Sequence, residues 1–329
     1  MNTKVGRRTL GATILGAAAA GLAAPSVLRA QGTQLAIATG TTGGVYYPLG
    51  GGMANIMNKA IPGMSATVEV TGGSVANLQL LGANRVGMIL AQGDAVIDAV
   101  RGEGRFQNRP VPVRTLLVMY INQMQVVTTA ATGIRSMADL RGKRVSTGAP
   151  GSATEGFALR LMEAAGLNPD RDVRARERLS PAESTNAIKD GKLDAYFFVS
   201  GVPTSAITDL GASPGVELVL IDHAQYGKPM VDKFGPIYFP AEIAAGIYPG
   251  QKAVNHTLAV SNIVGVRADM PDAQVTAILN ALWTNREDMY RVHAAARDIT
   301  LEGQRTERAV SPWHPAAEAF WKAQGARLA

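Results

Sequence analysis

Gln34-Leu35-Ala36-Ile37-Ala38-Thr39 runs directly into Gly40-Thr41-Thr42-Gly43-Gly44-Val45-Tyr46-Tyr47-Pro48. The first six residues form a short apolar run that reads as a strand, and the glycines after it permit a tight turn. Pro48 suits a first helical turn, with Leu49, Met53, Ile56, Met57 and Ala60 recurring at helical spacing. The pattern returns twice. Ala66–Val70 leads into Thr71-Gly72-Gly73-Ser74-Val75-Ala76-Asn77, where Ser74 can cap a helix carrying Val75, Leu78 and Leu81. Gly87–Leu90 leads into Ala91-Gln92-Gly93-Asp94 and a helix through Val96, Ile97 and Val100, and Val113–Tyr120 reads as a fourth strand. Strands alternating with helices at this spacing predict an α/β fold with a parallel sheet. Such turns gather at the carboxyl ends of the strands. Small residues there leave backbone N–H groups and hydroxyls uncovered at helix starts, where a small anion can be held.

A second α/β set follows. Val145–Thr147 precedes Pro150-Gly151-Ser152-Ala153-Thr154-Glu155, in which Ser152 and Glu155 fit a capping box. Ser180-Pro181-Ala182-Glu183 repeats that capping logic. Asp194–Val199 reads as a strand leading into Ser200-Gly201-Val202-Pro203, and another strand is expected near Val216–Ile221. The Pro/Gly-rich stretch from Gly227 to Gly250 reads as a surface excursion with little regular structure. Leu258–Val266 is strand-like again, and Met270-Pro271-Asp272 introduces a long helix to about His293. The pattern predicts two lobes, 31–123 and 124–256. Residues 257–329 return across the hinge and pack their helices on the first lobe. Tyr120–Val127 and His256–Val264 are the expected hinges.

Residues 1–30 read as an export leader: Lys4, Arg7 and Arg8 precede an apolar stretch, Leu10 to Ala24, too short to span a bilayer. Cleavage after Ala30 or Ala24 fits, and Arg7-Arg8 suits either a twin-arginine or a general secretory route. The expected compartment is the periplasm, with no membrane insertion of the mature chain. The formal charge is +6, but setting aside Lys4, Arg7, Arg8 and Arg29 leaves 28 basic against 26 acidic residues. That balance gives no electrostatic footprint for nucleic acid. The absence of cysteine excludes disulfides and thiolate metal sites.

The residues best placed for a ligand lie at the turns. The first glycine run offers Thr42, Gly44, Val45, Tyr46 and Tyr47. The second turn offers Gly73, Ser74 and Asn77, and the third Gln92, whose amide can both donate and accept. Ser152, Ala153 and Thr154 could meet the ligand from the opposite lobe; Phe198, Gly201 and Pro203 follow a later strand. The plain alternatives are glycines needed for turn geometry, Ser152 acting only as a helix cap, and Gln92 as an ordinary loop amide. Gly40-Thr41-Thr42-Gly43 gives neither a dinucleotide fingerprint nor a P-loop, so no cofactor is expected. His223, His256, His293 and His314 show no metal-ligand spacing. Ser152 lacks the trailing glycine of a nucleophile elbow, and no catalytic constellation emerges, so the chain does not read as an enzyme.

Gly40–Pro48, with Ala38-Thr39 before it, resembles the opening G-T-G-x-x-G-G-V-Y-Y-P segment of the TAXI family, the TRAP-associated extracytoplasmic immunogenic solute receptors. Thr71–Asn77 is similar to that family's T-x-G-S-V-x-N element and Ala91–Asp94 to its V-Q-S-D element. Asp139–Val145, Pro150-Gly151-Ser152, Asp190–Ala195, Tyr248-Pro249-Gly250 and Ser311–Pro315 match later segments, so the resemblance spans the mature chain. It implies a two-lobed, type II periplasmic-binding-protein-like fold with a cleft between the lobes. It further implies a monomeric receptor delivering a small organic acid to TRAP permease subunits. Glutamate, glutamine and 2-oxoglutarate-like dicarboxylates are the ligands it points to. Two departures fall where ligand contact is expected: Gly93 replaces a usual serine and Ala153 a common glycine. The rivals are an ABC-type binding protein, which a neighbouring permease gene would distinguish, and an exported hydrolase using Ser152, which would need a base.

Overall fold

A computed structural model describes residues 32–328, so the expected leader lies outside the described residues. The first half alternates as the turns predict: β1 (Thr33–Ala38), α1 (Tyr46–Ala60), β2 (Met64–Glu69), α2 (Ser74–Gly82), β3 (Met88–Gln92), α3 (Gly93–Arg101) and β4 (Val113–Thr129). The second half follows with β5 (Arg144–Ser146), α4 (Ala153–Ala164), β6 (Ala175–Glu177), α5 (Pro181–Lys189), β7 (Ala195–Ser200), α6 (Ser205–Gly211) and β8 (Leu218–Leu220). Then come α7 (Gly227–Phe234), β9 (Tyr238–Ile243) and β10 (Asn255–Arg267). The tail holds α8 (Asp272–Thr284), α9 (Arg286–Val292), α10 (Thr306–Ala309) and α11 (Pro315–Ala323).

The strands run in the order β2-β1-β3-β10-β4-β7-β5-β6. β1 pairs in parallel with β2 and β3, and β5 in parallel with β6 and β7. Each parallel triplet is then closed by an antiparallel strand: β10 beside β3, with Asn262 facing Gln92, and β4 beside β7, with Gln123 facing Ser200. β4 and β10 also pair with each other, so the two halves share a crossing pair of strands. One apolar core gathers Leu35, Met53, Leu78, Leu90, Val118 and Ile263 with the tail residues Leu282 and Trp321. Cores in the second half begin at Met124 on β4 and end at Val260 on β10. The change of core therefore falls inside the segments Tyr120–Val127 and His256–Val264. A bulge marks the place: Ser261 faces Ile121 and Ile263 faces Val118, so Met119 and Tyr120 together oppose Asn262. The Asn262 amide donates to the Tyr120 carbonyl.

Three expectations need correction. The strand expected to end at Tyr120 continues to Thr129, because its second part crosses into the other half. The stretch from Gly227 to Gly250 is not irregular: it holds α7 and β9, with Tyr238 buried. Pro240 hid that strand, yet β9 pairs only with β10 at an edge, where a missing N–H is tolerated. The single helix expected to reach His293 is broken into α8 and α9 at Asn285.

Candidate functional site

Three helices aim their N-termini at one cavity where the two halves meet. Gly40, Thr41, Gly44, Val45 and Tyr46 line it at the start of α1, and Gly72, Gly73 and Ser74 at the start of α2. Ser152, Ala153 and Thr154 line it from α4, with Phe198, Val199 and Ser200 from β7. Gln92, at the end of β3, and Asn122, in the middle of β4, complete it. The helices begin there for local reasons. Gly73 holds φ +123°, a left-handed angle that favours glycine, and its N–H donates to the Thr71 hydroxyl oxygen at 3.0 Å. Ser152 caps α4 by accepting from Glu155 N at 3.3 Å. Neither Val45 nor Gly73 makes a side-chain cap, so α1 and α2 keep early backbone donors for something else.

The lining contains no Lys, Arg, Asp, Glu or His. Positive potential comes from backbone alone, at roughly half an elementary charge per helix N-terminus. The three ends together match a single negative charge without a basic side chain. Hydroxyls are oriented around them. Ser74 Oγ accepts from Gln92 N at 3.0 Å and turns its hydrogen to the Tyr46 phenol, while Thr154 Oγ1 accepts from Val199 N at 3.3 Å, which leaves its O–H hydrogen to donate. Burial pushes the Tyr46 phenol well above its ordinary range, against hydrogen bonds to Asn122 and Ser74 that pull it down, so it stays protonated. The water-accessible volume is about 40 Å³, room for only a few waters at about 10–15 Å³ each.

The halves touch on both sides of this cavity. Ala76 N donates to Gly151 O at 3.0 Å, and Ser205 Oγ to Gly43 O at 3.0 Å. A Cβ on Gly72 would lie 2.0 Å from Pro150 O, so only glycine allows this approach. Beside the cavity lies a charged cluster around a second space of about 210 Å³. Arg160 of α4 donates to Asp98 of α3 at 2.8 Å and to the Tyr238 hydroxyl at 2.8 Å; Tyr238 in turn donates to Asp94 at 2.9 Å. Glu155 receives Arg105 from the first half at 3.2 Å, and Arg176 and Arg178 from its own half. Burial pushes the Asp94 carboxyl up, and Arg160, Gln92 and Tyr238 pull it back.

Ten of the residues expected at a ligand site meet in the cavity: Gly44, Val45, Tyr46, Gly73, Ser74 and Gln92 from the first half, Ser152, Ala153, Thr154 and Phe198 from the second. Five do not. Thr42 is exposed in the turn before α1, and Tyr47 is exposed because a residue next to Tyr46 on a helix points about 100° away from it. Asn77 is buried and occupied: its amide donates to Thr39 O and to Leu90 O at 2.8 Å, and its oxygen accepts from Thr71 at 2.6 Å. Gly201 packs under the Tyr120 ring, and the Pro203 carbonyl is bound by His293 at 3.0 Å. Gly93 is also turned away from the cavity. A Cβ there would lie 3.0 Å from Ser261 O and 3.0 Å from Val310, so a serine hydroxyl could not reach the ligand position. Asn122 was missed, although a polar residue inside an apolar strand was a usable signal.

The profile of the NMT1-like family matches residues 37–325. Among solved structures, a periplasmic transporter aligns with a TM-score of 0.54 and 13% identity, over 88% of this chain and 92% of that chain. A binding protein component of an ABC phosphonate transporter from Pseudomonas aeruginosa aligns with a TM-score of 0.52 and 10% identity, over 89% and 94%. A protein from Bordetella bronchiseptica RB50 aligns with a TM-score of 0.50 and 16% identity, over 90% and 89%. At such identities the likeness speaks for the fold, which is the two-lobed type II periplasmic binding protein arrangement.

Proposed function

Since this chain belongs to the NMT1-like family, we propose that it is a periplasmic solute receptor that closes over a small organic acid and hands it to a membrane permease. The observation that carries this reading is the convergence of three helix N-termini, two from one half and one from the other, on an uncharged polar cavity. Backbone donors and oriented hydroxyls suit a carboxylate, which both halves must grip at once. The leader expected at residues 1–30 supports export, and no described helix is long and apolar enough to cross a membrane.

The motifs from Gly40 to Pro315 support the finer reading of a TAXI-type receptor working with a TRAP permease, with glutamate, glutamine or a 2-oxoglutarate-like acid as ligand. An ABC-type partner is the second reading, favoured by the likeness to the ABC phosphonate component. Transport of the acid by vesicles carrying either permease class separates the two. A receptor role also accounts for Ser152 better than hydrolysis does. Its hydroxyl caps α4, while His223, His293 and His314 are bonded to backbone carbonyls elsewhere.

Native mass spectrometry of freshly purified protein, followed by a thermal-shift screen, is the direct test. A true ligand at about 100 Kd adds roughly 2.7 kcal/mol of stability. A response to sugars or metal ions with none to carboxylic acids overturns the reading.

A further inference from the structure

Asn122 is the one polar side chain that β4, a strand shared by both halves, contributes to the cavity. It is 1% exposed. Its Nδ2 donates to the Tyr46 hydroxyl at 2.9 Å, and that bond sets which way the amide faces. Its Oδ1 is buried and has no hydrogen-bond partner among the described residues. A buried amide oxygen without a donor is costly, so it marks a place where something else belongs. The helix N-termini and the Thr154 hydroxyl are donors, and Gln92, whose amide nitrogen is engaged by Asp94 at 2.8 Å, offers only its oxygen as a second acceptor. The cavity therefore has two chemical ends, donors for a carboxylate and an acceptor that a carboxylate cannot satisfy.

We propose that Asn122 is a specificity-determining residue that accepts a hydrogen bond from a hydroxyl or ammonium group on the carbon beside the ligand's carboxylate. The helix starts and the Asn122 oxygen line one and the same small cavity, which places the two groups close together. A 2-hydroxy or 2-amino acid supplies both groups. The matching 2-oxo acid presents a carbonyl to the Asn122 oxygen, so two acceptors face each other without a proton between them. This inference rests on the receptor reading above and divides the acids that reading admits.

The test is calorimetry with acids matched on one carbon skeleton: lactate, alanine and pyruvate, then 2-hydroxyglutarate, glutamate and 2-oxoglutarate. In the skeleton that binds, the hydroxy or amino acid is expected to exceed the oxo acid by roughly tenfold, the scale of one buried hydrogen bond. Asn122→Leu should bring that ratio close to one by weakening the hydrogen-bearing acid. Melting of the ligand-free variant reports whether it folds. An oxo acid that binds the wild-type protein as well as its partners overturns the proposal whatever the variant does, as does an unchanged ratio in a folded variant. If neither skeleton binds, the organic-acid reading itself fails and this inference falls with it.

Discussion

Two regions sit side by side where the halves meet, and α4 builds both. Its N-terminus offers Ala153 and Thr154 to a cavity without one charged side chain, while Glu155 and Arg160 of the same helix enter a cluster with Asp94, Asp98 and Arg105. In the cluster each charge already has a partner, so it contributes to how the halves hold together. In the cavity the starts of α1 and α2 carry no side-chain cap and the Asn122 oxygen has no partner among the described residues, so it contributes to what is held. Charges would fill the cavity with their own counter-ions or hold water too firmly to release. Separating grip from recognition lets closure be tuned without altering the ligand's surroundings.

The largest expected effect comes from blocking closure at the cavity's edge. Gly72→Ala places a Cβ 2.0 Å from Pro150 O, where the two halves meet. The affinity should fall by about 3 kcal/mol, the upper range for overpacking, while the ligand-free melting temperature holds. Retained affinity by calorimetry would mean that ligand binds without this contact. Breaking the cluster should cost slightly less. Arg160→Met leaves Asp94 and Asp98 without their shared cation, and a loss of about 2 kcal/mol in closure is expected, below the range for fully buried pairs because Arg160 is partly exposed. The selectivity order among acids should not change; a reordered panel would join the two regions that the structure separates.

Gly93→Ser belongs to neither region. With backbone oxygen and Val310 at 3.0 Å from its new Cβ, it should lower ligand-free stability by about 1 kcal/mol and weaken all ligands together. A change in preference between acids would put Gly93 back at the site. The smallest effect is in pH. Burial raises the Asp94 carboxyl above its ordinary 3.8, so the closed state binds a proton more readily than a solvated aspartate does. That contribution to closure is fully present below the ordinary value and is lost as pH rises through the raised one. Asp94→Asn should flatten this slope in affinity measured from acid toward neutral pH; an unaltered slope would move its origin elsewhere.

The sequence exposed what depends on neighbours along the chain and concealed what depends on neighbours across it. Gly40–Pro48, Thr71–Asn77 and Ala91–Asp94 announce strand, turn and helix within a few residues, and their helix starts do converge. Ser152 could be read as a cap because its partner Glu155 is three residues on. Asn77 shows the opposite case: nothing local reveals that its amide is taken by Thr39 and Leu90, 38 and 13 residues away. Asp94 is bonded to Tyr238, 144 residues distant on a strand hidden by Pro240. β6, three residues with Arg176 at its centre, carries no apolar alternation to find. Asn122 stood out only as a polar residue in an apolar run, and its partner Tyr46 lies 76 residues earlier.

The bulge that sets Met119 and Tyr120 against Asn262 gives the molecule a built-in clock. Where two residues face one, a rung of the ladder is missing, and local opening is cheaper there than in the paired stretches on either side. Backbone amides of residues 119–121 should therefore trade protium for deuterium sooner than those of Val126 and Val127, which pair with β7. Ligand that locks the halves should slow these few amides while leaving the core of α8 unchanged. Deuterium uptake at three residues would then count how often the ligand-free molecule opens at this crossing of strands.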